Sequence, residues 1–176
     1  MNVKFSLLPI TIAGAILPIL LQPLPTFAQS QHVGFYCGFT QKLEPATMIA
    51  IAGNDRGDRS IVVWRHKLNN LSPKQRCDRA AQKFQVAWNG GKFNYLVPGV
   101  DNTNGQGLIC AVSGKNDACQ PKNMLFAVEN AREAQNVSTR LLENMKRPGV
   151  GSGSVIYQSS SAQAINMQDL INSLTK

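Results

Sequence analysis

Acidic residues are scarce in this 176-residue chain: ten Asp and Glu stand against eighteen Lys and Arg, for a formal net charge of +8. Histidine is scarcer still, with only His32 and His66, and no Cys-x-x-Cys pair occurs. Zinc centres and dithiol redox sites usually need closely spaced ligands of that kind, so neither class has sequence support. No Gly-x-Ser-x-Gly elbow accompanies His66, although a hydrolase site whose partners meet only in space leaves no such trace. Gly149-Val150-Gly151-Ser152-Gly153 lacks the strand before it and the Lys-Ser/Thr after it that a phosphate loop requires. Asp55 and Asp58 are interleaved with Arg56 and Arg59 and lack EF-hand spacing, which favours a solvated turn over a calcium site. No internal repeat and no nucleic-acid recognition motif is visible, and after Ser30 nothing approaches the ~20 apolar residues of a membrane span.

The first thirty residues carry the pattern of an export signal. Lys4 is a positive start, Phe5 to Leu24 is apolar apart from Ser6, Thr11 and Gln22, and Thr26-Phe27-Ala28 offers small residues to a peptidase. Pro23 and Pro25 break a helix where such signals usually break. Cleavage after Ala28 is expected to leave 148 residues, one ordinary domain, and removing Lys4 lowers the net charge to +7. That charge favours acidic partners: an anionic membrane surface or an acidic membrane-associated protein, with nucleic acid disfavoured for an exported chain.

Apolar patterning gives the order β, β, β, α, β, β, β, α. Gly34–Phe39 reads as an aromatic strand, Thr47–Ala52 and Ser60–Lys67 as a hairpin, and Lys92–Val100 with Gly107–Ser113 as strands joined through Asn104-Gly105. Met124–Val128 is a further buried strand. Ser72-Pro73-Lys74-Gln75 predicts a helix start with a capping box, and Cys77, Ala80, Ala81, Phe84 and Trp88 then recur on one face. Asn130 to Glu133 opens a second helix with Ala134, Val137, Leu141 and Met145 on one face. The expectation is a small α+β domain over residues 29–146, a mainly antiparallel sheet covered by two helices. Residues 147–176 read as a Gly/Ser-rich linker and a short amphipathic helix bearing Met167, Leu170, Ile171 and Leu174, able to dock back, fray, or contact a membrane or partner. Trp64 and Trp88 are expected to pack between a strand and the helix end.

In an oxidising compartment Cys37, Cys77, Cys110 and Cys119 read as two disulfides that stabilise the domain. Of three connectivities, Cys110 with Cys119 would close a polar loop, and Cys37 with Cys77 would tie the first strand to the first helix. Spacing alone leaves the other two open.

Phe35-Tyr36-Cys37, Pro45-Ala46-Thr47, Ile61-Val62-Val63-Trp64, Arg76-Cys77 followed by Phe84, Ile109-Cys110, Cys119 and Leu125-Phe126 together resemble the circadian oscillating proteins of cyanobacteria. The resemblance implies an exported peripheral membrane protein of the periplasm or thylakoid lumen, without established catalytic activity or cofactor, and it supplies no active-site residues. From the residues themselves, the stripe Arg76, Arg79 and Lys83, with Arg65 and Lys67 near it, is the candidate basic binding face. The rival expectation is an extracytoplasmic hydrolase or small-ligand binder built from scattered residues. No catalytic, cofactor-binding or metal-ligating residue is singled out.

Overall fold

Alternation makes Val33–Phe39 the first strand, β1: Val33 and Phe35 are buried while Tyr36 faces solvent. The computed structural model of the chain describes residues 32–54, 57–146 and 164–175, with side chains for all of these but 142–146 and 175. The leader and the Gly/Ser-rich stretch 147–163 lie outside the described residues. β1 pairs antiparallel with β2 (Pro45–Ile51), and β2 with β3 (Arg59–Val63), in the order β1-β2-β3. The β-branched run ends its ladder at Val63 because the next partner, Pro45, has no N–H to return, while the Trp64 side chain turns into the core. The Trp64 backbone N–H donates to the Pro45 carbonyl at 2.8 Å and its indole Nε1–H donates to Thr47 Oγ1 at 3.0 Å.

Helix α1 (Pro73–Asn89) begins as its capping signature predicts. Gln75 N–H donates to Ser72 Oγ at 3.3 Å, Ser72 N–H donates to Gln75 Oε1 at 2.9 Å, and Pro73 occupies the first turn. Cys77, Ala80, Ala81 and Phe84 are buried against the first sheet, and Cys77 bonds to Cys37 of β1. Phe84 lies 5.3 Å from Phe35 and 5.5 Å from Phe93, the start of an aromatic cluster that Trp88 completes. Gly91, at φ +64°, turns the chain out of the helix.

The second sheet has the order β6-β5-β4-β7, built from β4 (Tyr95–Val100), β5 (Gly107–Val112), β6 (Met124–Val128) and β7 (Ile165–Asn166), all antiparallel. β5 is buried along its whole length because both its faces are covered. On one side it joins the main core with α1 and α2 (Ala131–Lys146). On the other, Val97, Leu108, Cys110 and Val112 form a smaller cluster with Cys119 packed against it. The Cys110–Cys119 disulfide holds that covering loop down. Gly99 makes the closeness possible, since a Cβ there would lie 2.5 Å from Cys119 Cβ.

In α2 the Glu133 N–H donates to Asn130 Oδ1 at 3.0 Å, and Ala134, Ser138 and Leu141 are buried. Val137 is half-buried, and the Met145 side chain lies outside those described. The C-terminal segment takes the docked alternative. Ile165 pairs with Leu96 in β4, and Met167, Leu170 and Ile171 of α3 (Met167–Thr175) are at most 2% exposed. The domain therefore does not stop near Lys146; its core includes side chains from residues 165–171. The α+β class, the antiparallel pairing and the order βββαβββα are present, with the strands divided between two sheets and a third helix added. Both favoured disulfides are formed and no free cysteine remains.

Candidate binding surfaces

Positions 76, 79 and 83 fall in one row along the flank of α1, but the fold uses them differently. Arg76 is turned into the structure. Its guanidinium carbon lies 4.8 Å from the centroid of the Trp64 ring, Nη1 donates to the His66 carbonyl at 2.9 Å, and Nη2 donates to the Ala127 carbonyl at 3.0 Å. Partial burial pushes its pKa down, while Glu129 and Glu133 act weakly in the other direction. Because His66 follows β3 and Ala127 belongs to β6, this side chain bridges the ends of the two sheets.

Arg79 and Lys83 are exposed and form no ion pair among the described residues. Partial desolvation and then the positive charge of Arg79 hold the Lys83 ammonium below its ordinary pKa. The neighbouring row is neutralised, since Lys74 Nζ meets Asp78 Oδ1 at 2.6 Å one turn on. The expected three-residue stripe thus presents two free cations, with Arg76 committed to the scaffold.

A second basic region lies where the β1–β2 turn meets the loop after β3. Arg65 Nε donates to Glu44 Oε1 at 2.8 Å, and that contact lowers the Glu44 carboxyl pKa. Lys42, Arg65, His66 and Lys67 are exposed there, as are Phe39 and Leu43. Sequence reasoning placed Arg65 and Lys67 near the helix stripe and missed the apolar pair. The signal that could have found it was Leu43 itself, an isolated apolar residue in a polar turn between Lys42 and Glu44.

The other sequence candidates stay apart. His32 and His66 are both exposed, at opposite ends of the three-strand sheet. Asp58 accepts a hydrogen bond from the Tyr36 hydroxyl, a contact that raises the phenol pKa, while Asp55 lies outside the described residues. No group of three His, Cys, Asp or Glu residues suited to a metal ion occurs among the described residues. None of the described helices is long and apolar enough to cross a membrane.

Residues 34–172 match a family model described as circadian oscillating protein COP23. No curated protein and no solved structure matches the chain.

Proposed function

The chain belongs to the circadian oscillating protein COP23 family, and on that premise we propose that it is a non-enzymatic exported protein held peripherally on an anionic membrane surface. The observation that carries this reading is uncompensated positive charge. Arg79 and Lys83 on α1, and Lys42 and Lys67 near the first turn, are exposed cations that form no ion pair among the described residues. Each such residue contributes ~1 kcal/mol of attraction to an anionic leaflet, so a few of them together give reversible, salt-sensitive attachment. Two disulfides fit an oxidising compartment, and periplasm or thylakoid lumen would supply one.

Salt washing of isolated membranes tests the reading. Release at high ionic strength supports it; retention in high salt with release only by detergent overturns it. An acidic membrane-associated protein is the alternative partner. It would be exposed by capture from membrane fractions together with loss of binding to protein-free vesicles.

A further inference from the structure

Two exposed apolar side chains stand at the β1–β2 turn. Leu43 is 80% exposed and Phe39 is 55% exposed. Leu43 also has φ +59°, a left-handed conformation that disfavours any residue with a Cβ. The turn nevertheless holds that shape through its own hydrogen bonds. Leu43 N–H donates to the Thr40 carbonyl at 2.9 Å, Thr40 N–H donates to the Glu44 carbonyl at 2.9 Å, and Glu44 N–H donates to Thr40 Oγ1 at 3.3 Å. A leucine is thus displayed to water on an ordered support.

Cations adjoin the turn in sequence and through one ion pair. Lys42 precedes Leu43, Arg65 is bound to Glu44 across the turn, and Lys67 follows in the same loop. Glu44 is the acid that contacts this cluster, and Arg65 neutralises it. The Trp64 N–H bond to the Pro45 carbonyl ties the loop to the strand that leaves the turn.

We propose that this end of the first sheet is a lipid-docking site. Leu43 and Phe39 enter the interfacial layer of an anionic bilayer, while Lys42 and Lys67 meet its phosphates. Charge complementarity selects an anionic surface, and shape selects lipid over protein. Two side chains on a convex turn offer far less than the ~800 Å² per partner of a stable protein interface, whereas a fluid interface accepts a protruding apolar tip without a matching pocket. The inference rests on the peripheral-attachment reading above and moves its main contact from α1 to the hairpin.

The test uses the secreted full-length mature chain and vesicles of phosphatidylcholine containing about one-third phosphatidylglycerol, a fraction that gives an appreciable negative surface potential. The double variant Phe39→Ser/Leu43→Ser is expected to lose at least about tenfold in vesicle affinity, given the apolar area withdrawn from the bilayer. Arg79→Gln/Lys83→Gln is expected to lose less. Leu43→Trp supplies a readout independent of folding losses: its added fluorescence is quenched by brominated acyl chains. An unquenched indole, or a serine double variant that binds like the parent, overturns the docking site while the parent's vesicle binding upholds peripheral attachment. Binding to native membranes but not to protein-free vesicles overturns the lipid assignment alone. Binding to neither overturns both.

Discussion

Arg76 lies over Trp64, with its guanidinium carbon 4.8 Å from the ring centroid, and the same indole donates to Thr47. One side chain of α1 is thereby coupled through an aromatic ring to β2, and through two backbone carbonyls to the ends of both sheets. Trp64 also meets Phe126 edge-on at 5.1 Å, so the contact lies against the aromatic core.

Replacing Arg76 by Lys keeps a positive charge but loses the planar face and the two-pronged donor. The expected cost is about 1–2 kcal/mol of stability by urea denaturation, with vesicle affinity unchanged. A large loss of vesicle affinity at unchanged stability would return Arg76 to the binding face.

Thr47→Val preserves shape at a fully buried position but leaves the Trp64 Nε1–H unpaired. A loss of about 1–3 kcal/mol follows from the orphaned donor. Thr47→Ser, which retains the acceptor, should lose less, and the comparison of unfolding midpoints separates hydrogen bond from packing.

The two disulfides close loops of very different length, with sequence separations of 40 for Cys37–Cys77 and 9 for Cys110–Cys119. Loop-closure entropy then assigns about 4 kcal/mol to the first and about 2.5 kcal/mol to the second. Paired Cys→Ala variants measured by denaturation should rank in that order.

Ile171 is 1% exposed and belongs to the main core although it lies near the end of the sequence, well past α2. Ile171→Ala should cost about 2–5 kcal/mol, and removal of residues 164–176 should abolish cooperative unfolding altogether. A truncated chain with an unchanged melting transition would show that α3 is an accessory element.

The Tyr36 phenol is held above its ordinary value of 10.0, first by its hydrogen bond to Asp58, then by partial desolvation and by the charge of Asp58. A raised pKa means that the contribution to stability is fully present below pH 10 and is lost as pH rises through the folded-state value. Ultraviolet titration should show Tyr36 ionising late, and Asp58→Asn, which removes the charge, should bring its pKa down toward the ordinary value.

Much of the local architecture is readable because its causes are local. Ser72, Pro73 and Gln75 satisfy the first amides of α1 within a single turn, and Cys77, Ala80, Ala81 and Phe84 mark its buried face by spacing alone. Asn130 likewise announces α2 by accepting from Glu133 three residues on. The pairing of Cys37 with Cys77 is one of three choices that spacing leaves open, and it follows in the fold from α1 lying across β1. The end of β3 is illegible for a related reason: Ile61 to Trp64 reads as a continuous strand, but where the ladder stops is set by Pro45, a partner far away in sequence that has no N–H to give.

The sequence by itself determined the basic charge, the element order, the helix starts and the family pattern, since each depends on composition or on residues within a few positions. Only the tertiary structure decided that Arg76 is a scaffold residue, that Leu43 is displayed on an ordered turn, and that Ile165, Met167 and Ile171 complete a core begun at Val33. A side chain at the border of a helix face has an indole, a carbonyl or water within reach. Which one it meets depends on elements tens of residues away.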